Sequence, residues 1–200
     1  MPEATVPDPE AWDGWTPQDL ASRLRQLQIR WAVAGGWALD LYASGEPQQH
    51  SDIEIAIDGS SFERVRAALP TLVWFVVDSG QVTAIEDAPG NLHQTWGWDP
   101  SGGCWRLDVL REPWQDDSWV YRRDPAVRRP LTQAIERTVD GIPYLSPEIV
   151  LLYKAKTPRP KDESDFARLL PLLNSNRSAW LAAALRTAHP AHHWLSLLAG

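Results

Sequence analysis

Residues 52–58 read Asp52, Ile53, Glu54, Ile55, Ala56, Ile57, Asp58, an alternation of acid or small residue with isoleucine. That period of two fits a β-strand with one apolar face and one carboxylate-bearing face. Side chains at i and i+2 of a strand share a side, so Asp52 and Glu54 are expected to project together while the isoleucines enter a core. Neighbouring carboxylates repel and raise each other's proton affinity unless a cation lies between them. Hard oxygen ligands of this kind suit Mg²⁺ or Mn²⁺.

The flanking sequence supplies the rest of an α+β pattern. A capped helix is predicted to start near Thr16 or Pro17, with Leu20, Leu24 and Leu27 on one face. Residues 29–34 read as a short buried strand ended by Gly35 and Gly36. A brief helix follows with Trp37, Leu39, Leu41 and Tyr42. Ser60 or Ser61 caps a helix running to about Leu69. Two hairpins are expected next, 72–78 with 81–86 around Ser79 and Gly80, and 92–98 with 104–110 around 99–103. From Ser146, Pro147 and Glu148 onward the pattern turns helical, with further helices at 162–173 and 176–188. The expected domains are therefore 1–143, a mixed β-sheet with flanking helices, and 144–200, a small C-terminal helical lobe.

A third acid, Asp108, sits in the otherwise apolar run 105–110, where an unpartnered carboxylate is costly to bury. If its strand lies beside 52–58, three acids converge, enough to hold a metal and take a proton from an attacking hydroxyl. The spacing is equally compatible with acids facing solvent. Gly35 and Gly36 stand where a strand enters a helix, so backbone N–H groups can approach a phosphate with no Cβ in the way. Lys154, Lys156, Arg159 and Lys161 form a late basic cluster that could neutralise phosphate or simply complement a helix end.

The formal net charge of −7 argues against a broad polyanion-binding surface and favours small ligands. Cys104 is the only cysteine, so an intrachain disulfide and a thiolate metal cluster are both excluded. No apolar run approaches the roughly 18 residues of a membrane span, and the expected location is cytoplasmic. Twelve tryptophans are many for 200 residues. Most read as packing, with some available to line a pocket for a base or a sugar.

Taken together, 35–41, the run His50, Ser51, Asp52, Ile53, Glu54, Ile55, and the later Leu107, Asp108, Val109 resemble the DNA-polymerase-beta-like nucleotidyltransferase superfamily. The resemblance is greatest to its aminoglycoside and lincosamide nucleotidyltransferases. It implies a nucleotidyltransferase fold and transfer of a nucleoside monophosphate from a nucleoside triphosphate, ATP by expectation, to a hydroxyl with Mg²⁺ or Mn²⁺. The acceptor would be a small molecule, an antibiotic among the candidates. Carried over by position, Asp52 and Glu54 bind metal and Asp108 binds metal or acts as base. Gly35 and Gly36 contact phosphate, with His50 and Lys154 as further phosphate candidates. The second acid is Glu54 where the family usually has aspartate, and the loop 45–50 lacks the arginines relatives often carry. A toxin-like enzyme acting on tRNA or protein, and a degenerate nucleotide-binding member, remain open alternatives.

Overall fold

The computed structural model describes residues 6–88 and 93–198. The chain divides into two compact units, one formed by residues up to 37 with 48–112 and the other by 38–47 with residues from 113 onward. Residue 92 of the expected 92–98 strand lies outside the described residues, as do the first five residues of the N-terminal arm.

The first unit opens with an arm that leads into α1 (Pro17–Leu24). The Thr16 hydroxyl accepts from the Asp19 N–H and the Asp19 carboxylate reaches back to Thr16, so two otherwise unpaired helix N–H groups are satisfied. Next come β1 (Trp31–Val33), the start of α2 (Gly35–Ala43), β2 (Glu54–Asp58), a 3₁₀ turn at Gly59–Ser61 and α3 (Phe62–Ala68). β3 (Val73–Asp78) and β4 (Gln81–Ala84) form the first expected hairpin. Its turn residues Ser79 and Gly80 have φ of 51° and 81°, the primed geometry that matches strand twist. β5 (Gln94–Asp99) and β6 (Cys104–Glu112) form the second.

Within this unit the strands run in the order β4-β3-β5-β6-β2-β1. β2 and β6 are parallel while the other pairs are antiparallel, so the sheet is mixed as expected. Ile53, Ile55, Ile57, Leu107 and Val109 are fully buried on one face beneath Leu20 and Leu24 of α1 and Phe62 and Val65 of α3. Each such side chain contributes roughly 1.5–3 kcal/mol of burial energy. That apolar face fixes the register of β2, and a one-residue slip would turn its isoleucines out and its acids in.

The second unit begins with residues 38–43 of α2 and continues with β7 (Ser118–Val120), β8 (Arg128–Pro130), α4 (Leu131–Ala134), β9 (Ile135–Arg137) and β10 (Pro143–Leu145). Four helices complete it: α5 (Pro147–Lys154), α6 (Pro160–Leu169), α7 (Ser175–Ala188) and α8 (Trp194–Leu197). Phe166 of α6 and Trp194 of α8 stack with centroids 4.1 Å apart. At the start of α5 the fully buried Glu148 lies 2.6 Å from Arg129 and 2.8 Å from Arg177. The longer segment of the second unit starts at 113, some thirty residues before the point at which helices take over in the sequence. Its strands are three residues long, too short for an alternation to show, and Trp119 on β7 packs edge-on to Trp180 of α7. Among the described residues no helix is long and apolar enough to cross a membrane.

Candidate functional site

Glu54 opens β2, and the parallel register sets it directly beside Asp108 of β6. Adjacent strands lie about 4.8 Å apart, so the two side chains rise from neighbouring positions on the face opposite the isoleucines. The strand itself starts at Glu54, and Asp52 stands just before it, exposed to solvent. Ile53 still accepts the Asp108 N–H through its carbonyl at 2.9 Å, which carries the pairing one residue beyond the strand.

Asp108 is only 3% exposed, and its Oδ1 has no hydrogen-bond partner. Burial pushes its carboxyl well above the ordinary carboxylate range, and the charge of Glu54 pushes in the same direction, with a smaller push from Asp52. Opposing this, the Gln94 amide donates to Asp108 Oδ2. The Trp96 indole N–H acts on the same carboxyl without closing a good hydrogen bond. Trp96 is the antiparallel register partner of Asp108 on β5. Gln94 and Trp96 are therefore site neighbours that sequence reasoning missed. Their alternation on the 92–98 run is visible, but the pairing register that brings them to Asp108 is not.

On the other side of Glu54 lies the glycine pair. Gly35 has φ of +57°, a conformation that L side chains rarely adopt. A Cβ there would sit 1.5 Å from Glu54 Oε2. The Glu54 carboxylate thus occupies the room that the missing side chain leaves, against the N-terminal turn of α2, whose partial positive charge favours an anion. At Gly36 a Cβ would meet the His50 ring at 2.7 Å. His50 also lies over Trp37, with ring centroids 4.5 Å apart. Both glycines are explained by close approach, and His50 is brought to the same turn.

The N-terminal arm braces this region. Gly14 N–H donates to the Ser51 carbonyl at 3.0 Å, and Trp15 N–H to the Arg106 carbonyl at 3.1 Å. Arg106 in turn holds Asp13 and Asp99. Lys154 belongs to the second unit, where its ammonium lies 2.7 Å from Asp162 and 2.9 Å from Asp165. Arg159 pairs with Asp162 as well. Two members of the late basic cluster are thus already matched by carboxylates within their own unit.

Among the described residues no group of three or more His, Cys, Asp or Glu side chains is gathered closely enough to grip a metal as it stands. The donor chemistry nevertheless fits a divalent cation. Glu54 and Asp108 are hard oxygen donors at paired register positions, and the buried Asp108 has an oxygen with no partner and no compensating charge of its own. Asp52, two residues upstream, is near enough to add its field.

Residues 18–94 match the model of the aminoglycoside-2''-adenylyltransferase family, a stretch that includes the glycine pair, Asp52 and Glu54 and ends before Asp108. No curated protein sequence matches the chain. Among solved structures, the solution structure of the antibiotic-resistance factor ANT(2'')-Ia superposes with a TM-score of 0.59 at 16% identity, over 87% of this chain and 91% of that one. ANT(2'')-Ia in complex with adenylyl-2''-tobramycin gives 0.58 at 15% identity, over 85% and 95%. The lincosamide antibiotic adenylyltransferase LnuA, bound to lincomycin, gives 0.57 at 17% identity, over 80% and 100%. The chain therefore has the nucleotidyltransferase fold, as its sequence resemblance implies.

Proposed function

We propose that this protein transfers a nucleoside monophosphate, AMP by preference, from the triphosphate to a hydroxyl of a small molecule. The observation that carries the proposal is the register pairing of Glu54 with Asp108, whose buried carboxyl keeps one oxygen without a partner. In this reading Asp52 and Glu54 hold Mg²⁺ or Mn²⁺, and Asp108 joins them or takes the proton of the attacking hydroxyl. The ion, when bound, neutralises charge developing on the transferring phosphoryl group. In the same reading Gly35 and Gly36 meet phosphate through their backbone N–H groups, at the turn against which Glu54 and His50 pack. A bond forms between the acceptor oxygen and the α-phosphorus, the bond to the bridging oxygen breaks, and pyrophosphate leaves. Where Asp108 serves as the base, the acceptor's proton passes to its carboxylate. Lys154 has a structural role in this scheme, because two carboxylates already hold its ammonium.

A small acceptor is favoured over a nucleic acid by the net charge of −7 and by the carboxylates that engage Lys154 and Arg159. The relatives in the adenylyl-2''-tobramycin and lincomycin complexes support an antibiotic-like acceptor. The test is transfer of label from α-labelled ATP to tobramycin, lincomycin and a wider panel of hydroxylated amines, with Mg²⁺ or Mn²⁺ present. Transfer that disappears in Asp108→Asn and Asp52→Asn supports the proposal. Pyrophosphate release that is absent with every acceptor and every nucleotide counts against it.

A further inference from the structure

The sheet face that bears Glu54 and Asp108 also carries an aromatic wall. The β5–β6 register shifts between Gly97 and Trp98, so Trp98 pairs with Trp105 while Gly97 pairs with Leu107, and Arg106 is the extra residue. One extra residue reverses the alternation of the strand. Without it Trp105 would point into the apolar core with Leu107; with it Trp105 packs against Trp96, Trp98 and Phe75, at centroid distances of 5.3, 4.9 and 5.3 Å. Trp12 from the N-terminal arm closes on the wall, edge-on to Trp96 at 5.0 Å. Trp105 is fully buried and anchors the group, whereas Trp12, Trp96 and Trp98 each keep part of their surface open.

The order of the strands gives this wall a direction. Moving across the sheet one meets β1 with its glycine turn, then Glu54 on β2, Asp108 on β6 and Trp96 on β5. In phosphoryl transfer the entering and leaving oxygens lie on opposite sides of phosphorus. With the triphosphate on the glycine side, the attacking hydroxyl must arrive from the side of Asp108 and Trp96. We infer that Trp96, backed by Trp12, is the acceptor subsite and that it takes a small cationic polyol ring, the face of the ring lying on the indole. This rests on the function proposed above. A saturated ring presents polarised C–H bonds to the negative face of an indole, and an ammonium substituent gains further from that face and from the nearby carboxylates.

The experiment is equilibrium binding, measured by calorimetry on the full chain with tobramycin, with lincomycin and with a non-hydrolysable ATP analogue. Trp96→Leu is expected to weaken binding of the antibiotic probe by about tenfold or more, and to weaken binding of the ATP analogue by clearly less. Trp96→Phe, which keeps an aromatic face and guards against misfolding, is expected to recover most of the loss. Trp12→Phe should behave like wild type and Trp12→Ala like a milder Trp96→Leu. A loss confined to the ATP analogue would overturn the inference, because the wall would then hold the nucleobase. Wild-type protein that binds the ATP analogue but neither antibiotic also overturns it, and leaves the nucleotide reading standing. Failure of wild-type protein to bind the ATP analogue with Mg²⁺ would instead defeat the function itself.

Discussion

Replacing Gly35 by alanine separates backbone strain from damage to the site. The residue has φ of +57°, where an L side chain costs roughly 1–2 kcal/mol. For a chain of this length each kcal/mol moves the melting temperature by about 2–4 °C, so strain alone predicts a fall of about 2–8 °C. Gly80 provides the control, since its φ of +81° carries a similar strain but a Cβ there meets nothing within 4 Å. At Gly35 the new Cβ would lie 1.5 Å from Glu54 Oε2 and 2.7 Å from its Cδ. The end of a flexible side chain can swing away, so the extra cost in stability is small. The Glu54 carboxylate, however, must leave the position beside Asp108 by more than an ångström, a displacement worth about 100-fold in rate when it touches a reacting group. Both variants should therefore melt within a few degrees of each other, and only Gly35→Ala should lose nucleotidyl transfer, measured as pyrophosphate release. A Gly35→Ala protein with transfer within about threefold of wild type would refute the reasoning.

Three further outcomes follow from particular contacts. Arg177→Met leaves the fully buried Glu148 with one of its two cations, and should cost on the order of 3 kcal/mol in a denaturant titration, whereas a loss below about 1 kcal/mol would mean that Arg129 suffices. Asp99 is held down to about 2, first by the Ser101 hydroxyl, against the opposing effect of burial, with help from the Gly102 and Ser101 N–H groups and Arg106. A depressed carboxyl stabilises the fold above its unfolded value of about 3.9 and loses that contribution as pH falls towards 2. Melting temperature followed from pH 6 to 2 should thus drop less steeply in Asp99→Asn than in wild type, and parallel curves would contradict the assignment. Gln94→Leu removes the amide that orients Asp108, and should lower kcat by about tenfold with little change in the KM for either substrate. A change confined to KM would place Gln94 in substrate binding instead.

The legible part of the molecule is the part with strong local patterns. Thr16 with Asp19, the isoleucines of β2, Ser79 with Gly80 and the Pro147 that follows Ser146 each specify an element, through capping, alternation, turn chemistry or a proline in the first helical turn, and each element is present. The strand after Asp52 was readable, but its start at Glu54 was not, because strand ends depend on pairing with β6. The juxtaposition of Glu54 and Asp108 needed a parallel partner 54 positions away, which alternation permits without specifying. The bulge at Gly97 and Trp98 left no trace in composition, and without it the tryptophans of β5 and β6 cannot be assigned to a face. The strands between 118 and 145 are three residues long, and a period of two cannot be read from three residues. The partners of Lys154, Asp162 and Asp165, belong to the next helix, and a pairing across two helices is not specified by the local sequence.

The proposal on which the rest depends is that Asp52 and Glu54 hold a divalent ion, with Asp108 joining them or acting as base. Anomalous diffraction from crystals grown with Mn²⁺ and a non-hydrolysable ATP analogue tests it most directly. An anomalous peak is expected within about 2.3 Å of a Glu54 oxygen and of an Asp52 or Asp108 oxygen, adjoining the triphosphate, and it should disappear in Asp52→Asn with Glu54→Gln. Nucleotide bound at the glycine turn with no anomalous peak at these carboxylates, or a peak held by other residues, would contradict it.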